Sequence, residues 1–459
     1  MPEIFKSESH VTDSRRARLN GQRGAVLWLT GLSGSGKSTI AQLAEELLLE
    51  GGIRAYVLDG DNLRFGLNAD LGFSDADRAE NIRRIGSVAA LFAHSGTVTL
   101  VSAISPFRHD REKARRICES MGCAFAEIYI DTSLEECKRR DTKGLYKKAL
   151  SGEISAFTGI SSPYEAPDNP DIRIDTQRLT AQASAQLIYD YIGLLQRLGE
   201  ITQHMCGCAV RAGEKILEIY NDAYDVSYKG DGSPLTTADL AANEIICASL
   251  RENYPQYAIL SEESKDSPER MQNPLCFIVD PLDGTKEFVK RNGEFTVNIA
   301  LCYMGKPVAS AVYVPVSGVL YYAAKGMGAY SQTGTAELFD NDRRIRVSDR
   351  SEQLTVMTSR SHINEALERL LEKNKPKIGK IISAGSSLKG CMIAAGEADA
   401  YYRMGLTCEW DTAAMQCVIE QAGGILRQGD GSPMTYNRAD TLNSKGFYIL
   451  NRTENKFDD

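Results

Sequence analysis

No run of apolar residues in the 459-residue chain approaches the roughly 20 that a membrane-crossing helix needs. A basic excess is missing too. The net charge of −8 argues against binding nucleic acid by broad neutralisation of phosphates. Residues 1–23 carry a short basic run at Arg15, Arg16 and Arg18 but lack the apolar core of a secretory signal. There is no Pro/Gly/Ser-rich linker, no internal repeat and no low-complexity tract. Eleven cysteines occur without a metal-type CxxC pair: Cys206 and Cys208 are one residue apart, and four residues separate Cys118 from Cys123. Such a scattered, odd-numbered set reads as reduced thiols in a reducing cytoplasm, the expected location. What remains is ordinary for a soluble globular protein, with 42% hydrophobic and 25% charged residues. The length predicts two to three domains.

Two phosphate-handling signatures stand out. The first is Gly31-Leu-Ser-Gly-Ser-Gly36-Lys37-Ser38. It follows an apolar run, Ala25–Thr30, and precedes a helical pattern from Thr39 to Glu50 with Ile40, Leu43, Leu47 and Leu48 on one face. Strand, glycine loop and helix form the setting a phosphate-binding loop requires. Gly31, Gly34 and Gly36 let the backbone amides turn inward, and the helix start adds positive potential. Lys37 is expected to reach the β- and γ-phosphates of a nucleotide and Ser38 to contact Mg²⁺. The ATP-binding set is therefore Gly31, Ser33, Gly34, Ser35, Gly36, Lys37, Ser38 and Thr39. A second strand ends in Asp59 and Asp61, acids placed to bind magnesium or take a proton from an attacking hydroxyl. Arg64, Asn68, Arg78, Asn81, Arg83 and Arg84 suit a second anionic substrate. Lys143-Gly-Leu-Tyr-Lys147-Lys148 has the make-up of a basic lid.

From about Gly21 to Tyr191 the chain resembles the adenylyl-sulfate (APS) kinases, through LDGDNLR, GFSDADRAENIRRIG, ISPFRHDR, KGLYKKA and FTGISSPYEAPDNP. The resemblance implies transfer of the γ-phosphate of ATP to the 3′-hydroxyl of APS, giving 3′-phosphoadenylyl sulfate (PAPS). It implies that Asp61 is the magnesium-linked catalytic acid, working with Lys37. Arg64, Asn68, Arg78 and Asn81 would hold APS, Ile104, Ser105 and Pro106 would line its site, and Lys147 would belong to the lid. Phe65 stands where the family commonly has histidine, which keeps an aromatic shape and loses a polar edge. APS itself is expected to come from another protein, and family members commonly dimerise, so a homo-oligomer is expected.

A helical pattern over Leu179–Leu198 and a new one from Glu200 place the domain boundary near 196, giving domains 1–195 and 196–459. Beyond it the chemistry lies in scattered acids. Asp239 opens a helix, Glu262 ends a strand, Asp280-Pro-Leu-Asp283-Gly-Thr285-Lys-Glu-Phe288 continues another, and Glu409-Trp-Asp411 lies far downstream. Oxygen ligands without a nearby histidine suit Mg²⁺. Two such ions can activate a water and stabilise a leaving oxygen.

From roughly residue 200 to 450 this constellation resembles the magnesium-dependent, lithium-sensitive inositol monophosphatase-like superfamily. DPLDGTKEF with RNGEFTVNIAL is similar to the branch acting on 3′-phosphoadenosine 5′-phosphate (PAP), where inositol phosphatases usually have a DPIDGTTNF-like string. The resemblance implies metal binding by Asp239, Glu262, Asp280, the Leu282 carbonyl, Asp283 and Asp411. Glu262 and Thr285 would orient the attacking water. Gly284, Thr285, Ser386, Ser387 and Lys389 would contact substrate. The implied fold is an α/β P-loop kinase with a parallel sheet, followed by an α+β domain layered α-β-α-β-α. The expected partners are the small nucleotides APS, ATP, PAPS and PAP, with no nucleic acid and no membrane. Two alternatives stay open: the second domain hydrolyses inositol or another sugar phosphate, or the first is a nucleotide sensor governing the second.

Overall fold

The computed structural model describes residues 10–222, 226–228, 234–334, 338–339, 343–360 and 365–458. The chain divides into two compact units, Met1–Gln196 and Arg197–Asp459. In the first, β1 (Ala25–Thr30), β2 (Ala55–Asp59), β3 (Val98–Ser102), β4 (Ala124–Asp131) and β5 (Ile172–Asp175) form one sheet in the order β2-β3-β1-β4-β5. Every pairing is parallel. β1 and β3 are buried along their whole length, as the continuous apolar runs of a sheet covered on both faces require. Its helices are α1 (Asp13–Asn20), α2 (Lys37–Glu50), α3 (Gly60–Leu63), α4 (Asp75–His94), α5 (Arg108–Ser120), α6 (Leu134–Arg140) and α7 (Leu145–Leu150). On one side of the sheet Trp28, Val101 and Phe125 pack with Ile82, Ile85 and Ala89 of α4 and Ala114 of α5.

One expectation changes. The two helical patterns on either side of residue 199 are a single helix, α8 (Ala181–Asn221). The stretch Gln196-Arg-Leu-Gly-Glu200 offers neither a proline nor a capping residue, and an isolated helical glycine is tolerated at about 1 kcal/mol.

The second unit opens its enzyme-like part with α9 (Thr237–Asn253), after a two-stranded ribbon of β6 (Val226–Tyr228) and β7 (Pro234–Thr236). A seven-stranded sheet follows, from β8 (Ala258–Ser261), β9 (Leu275–Asp283), β10 (Thr296–Tyr303), β11 (Lys306–Val314), β12 (Val319–Ala324), β13 (Gly328–Thr333) and β14 (Arg343–Ile345). It is antiparallel except where β8 meets β9. A mixed five-stranded sheet contains β15 (Leu354–Ser359), β16 (Ile378–Ala384), β17 (Ala400–Arg403), β18 (Ile425–Gln428) and β19 (Phe447–Leu450). The remaining helices are α10 (Thr285–Val289), α11 (Glu365–Lys373), α12 (Leu388–Ala394) and α13 (Glu409–Gln421).

A single core joins Ile278, Ala300 and Val312 of the first sheet, Met357, Tyr401 and Ile449 of the second, and Cys391 and Val418 of α12 and α13. Helices therefore lie between the sheets. Leu367 and Leu370 of α11 cover the far face of the five-stranded sheet. α9 packs on β9 of the other sheet. The layers are α-β-α-β-α. No disulfide links the cysteines, and all are buried except the half-buried Cys408. Among the described residues no helix is long and apolar enough to cross a membrane.

Candidate active sites

The phosphate loop leaves β1 and enters α2 with Gly31, Gly34 and Gly36 all at positive φ, conformations that glycine adopts without a Cβ penalty. At Gly31 a Cβ would stand 2.6 Å from the Ile130 carbonyl oxygen, so the site also requires the missing side chain. Lys37 is buried and folded back, its Nζ donating to the carbonyls of Leu32 (2.8 Å) and Gly31 (3.0 Å). Burial draws its pKa down to about 8, against the pull of the nearby Asp61 and Asp59 carboxylates. The Ser38 hydroxyl donates to Asp59 Oδ2 at 2.7 Å and lies 3.1 Å from the Ser102 hydroxyl. Asp59 Oδ1 caps α3 by accepting from the amides of Asp61 and Asn62. The Asp61 carboxylate is exposed and pairs with Lys143.

In the same unit, Asn68 donates to Asn81 Oδ1 at 2.9 Å, both side chains being buried. Arg64 lies over the Phe73 ring, 4.3 Å from its centroid, and donates to the carbonyls of Leu71 and Gly72. Arg78 bridges α4 to the 156–162 segment through Ala156 O (2.6 Å) and Thr158 Oγ1 (3.1 Å). Thr30 donates to the Ile104 carbonyl at 2.7 Å, and Arg111 to that of Ser105. Ser105 itself takes φ 41°. Tyr146 reaches from α7 to the Ser33 carbonyl at 3.0 Å, tying the basic segment to the loop, while Lys147 is exposed.

In the second unit Asp280, Asp283 and Asp411 bring carboxylate oxygens within 4.8 Å of one another. Residues three apart on a regular strand face opposite sides. Here the register slips: Thr296 pairs with Asp283 and Asn298 with Asp280, so β9 holds one residue more than β10. This bulge turns both acids to one site. Asp411 sits in the first turn of α13 and accepts from the Cys408 amide at 2.6 Å. Asp239 begins α9 in a capping box with Thr236 and accepts from Thr285 Oγ1 at 3.2 Å. That hydroxyl also lies 3.3 Å from the Leu282 carbonyl. Asp283 Oδ2 accepts from the Ser387 amide (2.7 Å), the Ser387 hydroxyl (2.8 Å) and Asn298 Nδ2 (3.2 Å).

Crowding like charges in a buried site disfavours ionisation. Burial, then the Glu262 and Asp283 charges, raise the Asp280 pKa well above the usual carboxylate range. Burial and the Asp283 charge push that of Asp411 up to about 7. A divalent cation would remove this penalty, and the donors are all oxygen. Neither histidine nor cysteine is among the residues lining the adjoining cavity of about 220 Å³. The residues fit a hard cation such as Mg²⁺. The same cavity is lined by Lys286, Lys389 and Arg403. Lys389 is buried, donates to the Ser386 carbonyl at 2.6 Å, and is drawn down to about pKa 8 by burial. Ser386, at φ 44°, has a buried hydroxyl with no hydrogen-bond partner.

Residues 23–175 match the adenylylsulphate kinase family and residues 197–455 the inositol monophosphatase family. The chain belongs to both families. The adenylyl-sulfate kinase of Emericella nidulans is 54% identical over 188 residues, which are 40% of this chain and 91% of that one. That of Clostridium acetobutylicum is 51% identical over 189 residues, 41% of this chain and 93% of the relative. Among solved structures, CysQ from Bacteroides thetaiotaomicron, described as a bacterial member of the inositol monophosphatase family, is 39% identical with a TM-score of 0.50. The match covers 55% of this chain and 98% of that one.

The kinase-family unit gathers Lys37, Ser38, Asp59 and Asp61 at one end of its sheet. Asp59, named in the sequence only as one of two acids, is the one bonded to Ser38. The phosphatase-family unit gathers Glu262, Asp283, Thr285, Ser386, Lys389 and Arg403 around one cavity. Arg403 and Lys286 escaped the sequence reading. Lys286 was legible as the first residue of the KEF string, whereas Arg403 carries no local signal. Ser387 faces Asp283, its amide and hydroxyl both used there.

Proposed function

We propose that the chain is a bifunctional enzyme of PAPS metabolism. Its kinase-family unit phosphorylates the 3′-hydroxyl of adenylyl sulfate with ATP, yielding PAPS and ADP. Its phosphatase-family unit hydrolyses the 3′-phosphate of PAP, yielding AMP and inorganic phosphate. For the first activity the carrying observation is the intact glycine loop with Lys37 and the Ser38–Asp59 bond beside it. Asp61, exposed at the same strand end, would accept the ribose hydroxyl proton, and Lys143 beside it would move away as the lid closes on substrate. The ATP-binding set, the APS contacts and Lys147 would take the roles that the family resemblance implies.

For the second activity the carrying observation is one cavity lined both by carboxylates, Glu262, Asp283, Glu287 and Asp411, and by the cations Lys286, Lys389 and Arg403. A bisphosphate ester needs both: one phosphate beside the acids, and cations for the other. Asp239, Glu262, Asp280, Asp283, Asp411 and the Leu282 carbonyl would hold magnesium. When bound, such ions acidify a water and offset charge on the phosphate oxygens. Glu262 and Thr285 would orient the attacking water, Asp239 accepts from the Thr285 hydroxyl, and Gly284, Ser386 and Lys389 would hold the ester. The TKEF sequence after Gly284, in place of the TTNF of inositol phosphatases, supports a nucleotide over an inositol phosphate.

Purified protein with Mg²⁺ should form ADP from ATP only when APS is present, and should release phosphate from PAP until the metal is chelated. APS-independent ATP turnover, or phosphate release from PAP that survives chelation, would contradict the respective half. If APS alters phosphatase rate with no ADP formed, the first unit is a sensor.

A further inference from the structure

The RNGEFTVNIAL string contains an acid, Glu294, that the reaction as described does not use. It lies just before β10, after a turn in which Asn292 Oδ1 accepts from the Glu294 amide at 3.0 Å. Glu294 Oε2 accepts from the Gly385 amide at 2.8 Å across 91 residues of chain. Both of its oxygens also accept from the Arg360 guanidinium, each at 2.6 Å. Gly385 opens the Gly385–Lys389 loop, whose Ser386 and Lys389 line the cavity. The loop has a second anchor at Ser387, which donates twice to Asp283.

The fit at the first anchor is close. A Cβ on Gly385 would stand 2.6 Å from the Glu294 carbonyl oxygen, 2.8 Å from Glu287 Cγ and 3.1 Å from Glu294 Cβ. Glu287 is the acid of the KEF string, so both strings that set the second half apart converge on one glycine. Between the anchors Ser386 is held at positive φ, which a non-glycine residue adopts only when its surroundings fix it.

We infer that Glu294 is a positioning residue for phosphate-ester binding: it fixes Gly385 so that Ser386 and Lys389 face the substrate. The inference rests on the proposed substrate contacts of those two residues. It separates two duties within one loop. The Ser387 end belongs to Asp283 and the metal-binding acids, and the Gly385 end to the grip on the ester. Loss of the Glu294 bond should therefore weaken substrate binding and leave the metal requirement in place. The Arg360 side chain is half-exposed, and an ion pair so open to water contributes little.

The test is steady-state phosphate release by the full chain, with PAP as substrate and Mg²⁺ varied separately. Glu294→Ala removes a charge-assisted hydrogen bond, so KM should rise about tenfold while kcat changes less than about threefold. The Mg²⁺ concentration for half-maximal rate should not move. Glu294→Gln keeps an acceptor for the Gly385 amide and should recover most of the KM. Arg360→Ala should raise KM no more than about twofold. Should Glu294→Ala fail to fold, as judged by loss of the second unit's cooperative melting transition, Gly385→Ala displaces the same anchor and should raise KM likewise.

An unchanged KM in these anchor variants, a fall in kcat alone, a shifted Mg²⁺ requirement, or a Gln variant no better than Ala would each overturn the inference. If the unmodified protein prefers inositol 1-phosphate to PAP, the substrate reading fails. The order of KM values for that ester across the same variants then decides the role of Glu294.

Discussion

Lys37 and Lys389 sit in unrelated folds, yet each is a buried lysine folded onto the carbonyls of its own loop. Burial brings both to about pKa 8. An ammonium held this way keeps its hydrogen bonds satisfied and faces an incoming phosphate with little water to displace. The surroundings differ sharply. Lys37 lies in a loop whose own backbone and helix start favour anions, so a phosphate needs little else. Lys389 lines a cavity that also holds carboxylates, which repel an anion in the absence of a cation. One site is prepared for phosphate by its backbone, and the other would become receptive once a cation offsets its acids.

Charge removal should separate the two most strongly. Asp283→Asn takes a carboxylate from the acid cluster and should reduce phosphate release at least about a thousandfold, with ADP formation retained. Parallel loss of both activities would break the comparison, because the sites would then not be independent. Lys37→Ala should cut APS-dependent ADP formation by about a hundredfold or more and spare phosphate release from PAP. Ser387→Ala removes one of the two Ser387 bonds to Asp283 and keeps the amide, so phosphate release should fall about tenfold.

The smallest effect concerns stability. Asp411→Asn relieves repulsion among three neighbouring acids, so the metal-stripped protein should melt about 2–4 °C higher if about 1 kcal/mol is recovered. The same variant should gain less from added Mg²⁺ than the unmodified protein, since ligand binding stabilises in proportion to affinity. Differential scanning calorimetry with chelator or metal reads both. A lower melting temperature in chelator would mean that the acids are held by hydrogen bonds strong enough to outweigh their repulsion.

How legible each site was follows from how it is built. The phosphate loop is contiguous and its neighbours are local, so Gly31 to Ser38 could be placed on a strand, a turn and a helix from spacing alone. Asp239 was likewise readable, because Thr236 and Asp239 form a capping box within one turn. The bond from Ser387 to Asp283 spans 104 residues and that from Gly385 to Glu294 spans 91, and no local pattern marks either. The bulge that turns Asp280 and Asp283 to one side was hidden too, since it depends on the partner strand. The expected break near residue 199 failed for the opposite reason. Two apolar patterns, one ending at Leu198 and one starting at Glu200, were read as two helices where nothing capped or interrupted a single one.

The most direct test of the two-activity account is phosphate release by the purified protein with Mg²⁺, from PAP, PAPS and inositol 1-phosphate side by side at matched low concentrations. The account predicts fast release from PAP, slower release from PAPS, whose rapid hydrolysis would undo the kinase in an ATP-consuming cycle, and little from inositol 1-phosphate. Preferred release from inositol 1-phosphate would contradict the account of the second unit, and equal release from PAP and PAPS would contradict the division of labour between the two.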